Sequence, residues 1–397
     1  MTDVVAAEAD PPQDTPGGMD LRFRPDVEGL RAVAVTLVVL FHAGVTRLQG
    51  GFVGVDVFFV ISGFLITGLL LREHEVRKSI SIKGFYARRS RRILPAGMLV
   101  IIATMIMAWH YENPLTFPMT AVDGRWAALF AANIHFANVG TNYFSLGDQP
   151  SPLLHYWSLA VEEQFYIVWP TIVLLVGLAV RRWSMRYGIL IVAAAGTVAS
   201  FLWALHVEGL NNTWAFFSPF TRAWELGIGA VAATVVIHAR RLHKWAGVAL
   251  AWAGLAAIIY SGLTADPNIY SATTLLVPVL GAVAVIIGGA SGIGAGHALA
   301  LHPVRAVGRV SYGWYLLHYP PMILLAGEIW APLPVHERLL IAAVTLVIAF
   351  AMYYALERPI RRARSLAVRP WASIAMGLAC VGAALLSTVL IHKSIPF

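Results

Sequence analysis

Apolar stretches of about 20 residues recur in this sequence between positions 31 and 391. A helix of that length crosses the hydrocarbon core of a bilayer, so a chain with many such stretches does not fold as a soluble globule. Composition agrees, since only 13% of the residues are charged, against roughly 25% in soluble domains. The short alternating strands of an outer-membrane barrel are missing. The sequence therefore predicts an all-α, polytopic membrane protein.

We predict about eleven spanning helices. Residues 1–21, which are acidic and rich in proline, are predicted to be a disordered cytoplasmic tail. Residues 22–366 form a membrane core with ten of the helices, and residues 367–397 carry the eleventh. The predicted helices are 31–47, 51–71, 93–110, 160–180, 187–206, 222–238, 245–264, 272–290, 306–326, 338–356 and 371–391.

The segment 122–142 is less apolar, and the basic residues decide how we interpret it. If this segment does not span and the N-terminus is cytoplasmic, 24 of the 29 lysines and arginines lie on the cytoplasmic side. If it does span, the distribution becomes 14 against 15. Cytoplasmic loops are enriched in basic residues, which favours an inside N-terminus, an outside C-terminus and a segment at the interface or re-entering the membrane.

The same distribution bears on possible partners. A formal net charge of +8 is compatible with nucleic-acid binding, but membrane topology explains it, so we expect the lipid bilayer and no nucleic acid as a partner. Cys380 is the single cysteine, which excludes an internal disulfide and a cysteine-rich metal site. No spacing typical of metal ligands is visible, and we expect no metal.

Ionisable residues inside predicted spans mark candidate functional sites, because they cost free energy unless they are paired, hydrated or functional. His42 lies 11 residues beyond Arg31 in the first helix, which is about 16 Å along the axis and about 20° around it. The two side chains therefore share one stripe. His42 is either a proton-transfer group or a histidine hydrogen-bonded to a neighbouring helix.

Acidic residues near His42 are candidate orienting groups. Asp56 opens the second helix and either orients His42, as a triad acid does, or is an N-terminal acid favoured by the helix dipole. Glu162 and Glu163 are alternatives for the same role. The small residues that follow Asp56, at 62–63, favour close helix packing.

Arginines at the cytoplasmic side suggest a phosphate site. Arg89 and Arg92 share a face if their segment is helical, and paired guanidinium groups suit phosphates. The alternative is a topogenic loop or contact with anionic lipid. Glu357 either caps a basic loop or contacts these arginines.

Polar residues at the predicted outer side form a second group. Arg222 can pair with Glu162, Glu163 or Glu225, either as a structural lock or, together with His155, as part of an acceptor pocket. His318 is either a second acid or base or a histidine that satisfies backbone groups freed by Pro320 and Pro321. A cytoplasmic arginine group joined by the Arg31–His42 stripe to an outer acid–base group fits transfer of a chemical group through the membrane.

Seven segments in colinear order resemble the acyltransferase 3 family of integral-membrane O-acyltransferases. Each segment alone is a weak signal, whereas seven in order are specific and cover nearly all of the membrane part. The segments are RPDVEGLR (24–31) with the later His42, GVDVFFVISGF (54–64), RSRRILP (89–95), WSLAVEEQFY (157–166), RAWELG (222–227), SYGWYLLH (311–318) and ERP (357–359).

This resemblance implies transfer of a small acyl group, often acetyl, from cytoplasmic acyl-CoA to a hydroxyl of an extracytoplasmic glycan or lipid-linked sugar. It implies a bacterial cell-membrane location and assigns residues 22–366 to the acyltransferase core. His42 inherits the catalytic role, as general base or transient acyl carrier. Arg31, Arg89, Arg92 and Glu357 match positions tied to the donor. Family members often carry Asp where this chain has Glu28.

Other functions remain alternatives to this interpretation. Some members of the family acylate small molecules such as macrolides. A transporter or flippase for a lipid-linked sugar would use His42 and Asp56 for proton binding, but we find no internal repeat and no broken-helix signature. An interaction module would leave His42 and its aligned arginine unexplained.

Overall fold

The structure is a computed structural model that describes residues 24–141, 150–180, 184–208, 212–267, 271–326 and 333–393. Within these ranges the chain forms helices and no β-strand. The predicted tail at 1–21 lies outside the described residues. The α-helices are α1 Pro25–His42, α2 Gly54–Arg77, α3 Ile82–Tyr111, α4 Phe117–Ala128, α5 Ala132–Asn138, α6 Tyr156–Ala179, α7 Met185–Glu208, α8 Asn212–Phe217, α9 Pro219–Val235, α10 Lys244–Thr264, α11 Ala272–Gly288, α12 Ala295–Leu299, α13 His302–Leu324, α14 Val335–Met352, α15 Arg358–Arg362, α16 Arg364–Ala367 and α17 Pro370–Lys393.

In the described part of the chain, nine helical stretches are long and apolar enough to cross a membrane. Helices α1 and α13 are not among them, because both carry charged residues and α13 also carries histidines and prolines. The chain is thus an all-α polytopic membrane protein, as the apolar pattern predicts. The number of eleven spans and their orientation stay predictions.

Two helices begin earlier than their apolar stretches do. Helix α1 starts at Pro25, where the missing proline N–H costs nothing because no intrahelical partner exists there. Helix α3 starts after Ser81, whose hydroxyl accepts a hydrogen bond from the Gly84 N–H at 3.1 Å. The basic run at 85–92 is therefore helical, and its arginines at positions 89 and 92 share one face.

The segment 122–142 forms two short helices, α4 and α5, over its described part. Phe130 lies between them with φ +53°, a left-handed conformation that ends the first helix. The 12 residues of α4 reach about 18 Å, which is less than the hydrocarbon core of about 30 Å. The two helices accordingly do not form a continuous membrane span.

Helices α2 and α9 pack with their backbones in close contact. A β-carbon built on Gly63 would lie 1.8 Å from the carbonyl oxygen of Leu226, and one on Gly229 would lie 2.1 Å from that of Val60. Only glycine fits at these two crossings, so the prediction of close packing at 62–63 is confirmed. Helix α1 packs against α2 and α13, and α17 lies along α3 and α4. Helices α1, α2, α3, α6 and α13 surround the candidate site.

Replacing Gly63 with alanine tests the α2–α9 contact. We expect Gly63→Ala to destabilise the protein by about 1–3 kcal/mol, since the new methyl group overlaps a backbone carbonyl. Thermal unfolding in detergent measures this effect. Gly196→Ala is the matched control, because a β-carbon there meets nothing within 4 Å. Equal melting temperatures for the two variants would contradict the close approach.

Cysteine labelling tests the predicted orientation. In a Cys380→Ser background, we expect Leu115→Cys, after α3, to react with an impermeant maleimide on intact cells. Ser79→Cys, before α3, should react only after lysis. Both parent side chains are exposed in the structure. The reverse pattern would place the basic loop outside and overturn the orientation.

Candidate active site

Helix α1 runs without a break from Pro25 to His42, so Arg31 and His42 lie on one continuous helix as predicted. Arg31 lines a cavity. His42 is the last residue of the helix and lies beyond the cavity. Arg31 and His42 thus lie at different positions along the axis of the same helix.

His42 is hydrogen-bonded to a second histidine. Its Nδ1 lies 2.8 Å from Nε2 of His318 in α13. The two rings are nearly parallel, with centroids 5.1 Å apart and planes inclined by 20°. Nδ1 of His318 in turn lies 3.1 Å from the carbonyl oxygen of Trp314. The structure therefore joins His42 to the backbone of α13 through the imidazole of His318.

His155 completes a cluster of three histidines. Its ring centroid lies 5.9 Å from that of His318, and both side chains are fully buried. Its Nε2 lies 3.1 Å from the carbonyl oxygen of Leu316. Pro320 has no N–H to donate to that carbonyl, so His155 satisfies the group that the proline leaves free. This differs from the expectation that His318 would do so.

Asp56 pairs with an arginine rather than with His42. Its Oδ1 lies 2.8 Å from Nη2 of Arg222, and Nη1 of Arg222 lies 3.1 Å from Oε1 of Glu225. The three side chains are at most 2% exposed. Nδ1 of His42 instead lies within hydrogen-bond distance of His318. Arg222 contacts Glu225, whereas Glu162 and Glu163 lie beside Arg89. This buried cluster joins α2 to α9.

Glu162 and Glu163 also lie elsewhere than expected. Sequence reasoning put them in the outer group, whereas the structure places them beside Arg89. Nη2 of Arg89 lies 3.1 Å from Oε1 of Glu163 and 3.5 Å from Oε1 of Glu162, and its guanidinium lies 3.4 Å from the ring centroid of Tyr166. The hydroxyl of Ser62 donates to Glu162 at 2.6 Å, and that of Tyr166 also donates to it. The two glutamates are thus ion-pair partners at the arginine end.

A cavity lies beside Arg89 and Glu162. On α2 its lining extends from Val55 to Ile66, which is about 16 Å along the helix. The walls on that side are mainly valine, isoleucine, leucine and phenylalanine. Arg31, Arg89 and Arg92 line it at the level of Glu162. The cavity therefore has mainly apolar walls and three arginines in its lining.

The three arginines differ in their pairing. Arg89 is paired with the two glutamates, but Arg31 and Arg92 make no hydrogen bond or ion pair within the described residues. Glu357 acts on both at longer range. It ends a π-helical turn at Tyr353–Glu357, a distortion often found at functional sites. Two guanidinium groups at the cavity are thus available to an anion.

Tyr315 and Ser158, which sequence reasoning missed, also line the cavity. Their hydroxyl oxygens lie 2.7 Å apart, and the Tyr315 hydroxyl donates to the carbonyl of His155 at 2.8 Å. The Tyr315 ring meets the edge of Phe58, with centroids 6.5 Å apart. Tyr315 lies one helical turn before His318 in the sequence, and this spacing could have identified it as a candidate.

Removing the cation of the α2–α9 cluster tests its structural importance. We expect Arg222→Met to lower the free energy of unfolding by about 3–5 kcal/mol, because two buried carboxyl groups lose their cation. Thermal unfolding in detergent is the measurement, with Arg47→Met at an exposed position as the control. An unchanged melting temperature for Arg222→Met would show that the cluster is not a lock.

Comparisons with known proteins agree with these observations. The family model of the acyltransferase domain named acyltransferase 3 matches residues 24–354. The peptidoglycan O-acetyltransferase OatA of Listeria monocytogenes is 30% identical over 354 residues, the O-acetyltransferase OatA of Staphylococcus aureus 28% over 354 residues, and YrhL of Bacillus subtilis 32% over 352 residues.

Each alignment covers 86% of this chain, but only 55% to 58% of the relative. No solved structure is significantly similar to the chain. The matched residues run from the start of α1 to the end of α14 and include the histidine cluster, the three arginines and the cavity. Because the family model covers most of its length, this chain belongs to the acyltransferase 3 family.

Proposed function

We propose that this protein is an acyl-CoA-dependent O-acyltransferase of the bacterial cell membrane. It transfers a small acyl group, with acetyl expected, from cytoplasmic acyl-CoA to a hydroxyl of an extracytoplasmic glycan, glycolipid or similar acceptor. One observation carries the proposal. An apolar cavity is lined by two arginines that have no ion-pair partner within the described residues, and a hydrogen-bonded histidine pair lies outside its lining.

Arg31 and Arg92 are the proposed phosphate contacts of the donor. Guanidinium groups form forked hydrogen bonds with phosphate oxygens, and these two have no carboxylate partner in the described chain. Arg89 has a smaller part than the sequence suggested, because Glu162 and Glu163 already balance its charge. We assign Arg89 and both glutamates to holding this end of the cavity in shape, and Glu357 to positioning the unpaired arginines.

The apolar walls suit the pantetheine arm and its thioester. Arg31 and His42 lie about 16 Å apart along α1, and an extended pantetheine arm would bridge this distance. Tyr315 lines the cavity and its hydroxyl donates to the carbonyl of His155, so we propose that the arm displaces the Tyr315 side chain to reach the histidines. The Tyr315 side chain would thus keep the thioester away from the outer side until transfer.

His42 is the proposed general base. It takes the proton of the acceptor hydroxyl while the hydroxyl oxygen attacks the thioester carbonyl. The carbon–oxygen bond forms, the carbon–sulfur bond breaks, and the proton passes from His42 to the leaving thiolate. If the acyl group first moves to His42, a carbon–nitrogen bond forms while the carbon–sulfur bond breaks, and the acylated ring gives its N–H proton to the thiolate. The acceptor oxygen then forms the carbon–oxygen bond, the carbon–nitrogen bond breaks, and the acceptor proton goes to the released imidazole.

The printed names of the relatives support the acceptor class. All three are named as O-acetyltransferases, two of them for peptidoglycan, so we propose a cell-wall glycan as the acceptor. The chain spans little more than half of their length, and a small-molecule acceptor remains the alternative for the test. We place His155 and His318 at the acceptor side, and Arg222 and Glu225 in the support behind it.

Thiol release from acetyl-CoA by the purified protein tests this function. A cell-envelope extract supplies the acceptor. We expect His42→Ala to reduce release by about 10²–10⁴-fold, the usual effect of a general base. We expect Arg31→Gln with Arg92→Gln to raise the KM for acetyl-CoA by about 10–100-fold, since hydrogen bonds to charged groups are lost.

The control is Arg47→Gln, which removes an exposed arginine outside the cavity and should leave both constants unchanged. Full release by folded His42→Ala protein would contradict the mechanism. Failure of the folded wild type to bind or cleave acetyl-CoA would instead favour a transporter of lipid-linked sugar.

A further inference from the structure

We propose that Arg361 binds the phosphate group on the ribose of the donor, beside a diphosphate held by Arg31 and Arg92. The inference rests on the proposed function and deepens it, because it assigns a further anionic group of coenzyme A to a residue outside the cavity. It starts from the charges around Glu357, which lies directly before α15.

Glu357 lies among three arginines. The charges of Arg31, Arg92 and Arg361 all act on its carboxyl group. Within the described residues, none of these three guanidinium groups is in ion-pair contact with a carboxylate. One carboxylate thus faces three cations, and the resulting excess of positive charge attracts a ligand with several negative charges.

A buried tyrosine anchors the side chain of Arg361. Nη2 of Arg361 donates a hydrogen bond to the hydroxyl oxygen of Tyr353 at 3.1 Å, and the guanidinium carbon lies 5.7 Å from the centroid of that ring. Tyr353 is 5% exposed, whereas Arg361 is an exposed residue. A guanidinium group has five N–H donors, and this contact uses one of them. The tyrosine holds the group in place, and the other donors remain for a ligand.

The carboxyl group of Glu357 lies against the wall of the cavity. A β-carbon built on Gly313 would lie 3.2 Å from Oε1 of Glu357, and the preceding residue, Tyr312, lines the cavity. This Oε1 is buried and has no hydrogen-bond partner in the described part of the chain. Helix α15 also contacts α3, the helix that carries Arg92. Arg361 therefore lies near the arginines of the cavity but is not part of its lining.

The order of the groups in coenzyme A matches this arrangement. The thioester is followed by the pantetheine arm, then the diphosphate, then the ribose with its 3′-phosphate. When the arm occupies the apolar cavity and the diphosphate binds Arg31 and Arg92, the ribose lies outside the cavity, as Arg361 does. A phosphate monoester carries about −1.5 to −2 charges near pH 7 and offers three acceptor oxygens to a forked guanidinium group.

An anionic lipid headgroup has the same chemistry as this phosphate. Further exposed arginines follow Arg361 at positions 362, 364 and 369, and a basic segment beside a membrane span attracts anionic lipids. The two sources differ in what they require. A subsite for the ribose phosphate needs Arg361 in particular and responds to removal of that phosphate from the donor. Attraction of lipid is shared among the neighbouring arginines and is independent of the donor.

One experiment removes the phosphate from the ligand and the guanidinium group from the protein in combination. The full chain, purified in detergent, is titrated with coenzyme A and with 3′-dephospho-coenzyme A, and Kd is measured for each. The variants are Arg361→Gln and, as the matched control, Arg362→Gln, which removes the exposed neighbouring arginine. Thermal unfolding is measured for both variants.

We expect the wild type to bind coenzyme A about 10–100-fold more tightly than the dephosphorylated form, as for hydrogen bonds to a charged group. Arg361→Gln should weaken the binding of coenzyme A by about the same factor, and the binding of the dephosphorylated form by less than about threefold. Arg362→Gln should keep the preference of the wild type. Phosphatidylglycerol added to the micelles should also leave this preference unchanged.

A second variant leaves every charge in place. Tyr353→Phe removes the hydroxyl that accepts the hydrogen bond from Arg361. We expect it to weaken the binding of coenzyme A by about threefold to tenfold and to leave the binding of the dephosphorylated form unchanged. An equal effect on both ligands would assign Tyr353 to the fold and not to the subsite, against the proposal.

Equal affinity of the wild type for the two forms of coenzyme A would overturn the inference and leave the proposed function intact. Equal losses for both forms in Arg361→Gln would also overturn it, as would loss of the preference in Arg362→Gln, because both results indicate a general attraction of anions. Loss of the preference on addition of phosphatidylglycerol would assign Arg361 to lipid. Failure of the folded wild type to bind either form would refute the proposed function itself.

Discussion

No water is available in the hydrocarbon core of a bilayer, so each polar group placed there must bind another group of the protein. The helices meet this requirement with buried contacts between distant segments. Arg222 holds Asp56 and Glu225, Arg89 holds Glu162 and Glu163, and His155 satisfies the Leu316 carbonyl that Pro320 leaves free. These contacts fix how α2 lies against α9, how α3 lies against α6, and how the residues before α6 lie against α13.

Two arginines at the cavity differ from these paired groups. Arg31 and Arg92 line the cavity without a carboxylate partner in the described chain, although a buried charge is costly without one. The neighbouring Arg89, on the same helix face as Arg92, is paired with Glu162 and Glu163. Arg89 and Arg92 lie three residues apart, and their sequence pattern gives no reason to assign them different roles. The structure distinguishes them, because Arg89 has carboxylate partners and Arg92 has none within the described residues. It gives the proposed donor site its location.

Much of the fold follows from the sequence. Apolar stretches predict the long helices, and the basic residues indicate that 122–142 does not span, which agrees with its two short helices. Helix starts were less predictable, because polar turns at 25–30 and 82–92 extend α1 and α3 beyond their apolar parts. For the candidate site, the sequence predicts His42, the arginines and His318, and these remain predictions, whereas the partners that it predicts for several acids differ from those in the structure. Such pairs depend on packing between helices, which no local pattern encodes.

The sequence by itself determined an all-α membrane protein, the Arg31–His42 stripe and the resemblance to one family, since periodicity, charge and motif order are local properties. Tertiary structure decided the partners. It placed His318 rather than Asp56 on His42, and Glu162 and Glu163 on Arg89. The physical reason is that hydrogen bonds and ion pairs act over about 3–4 Å, so rotation of a helix by one residue changes every partner it offers.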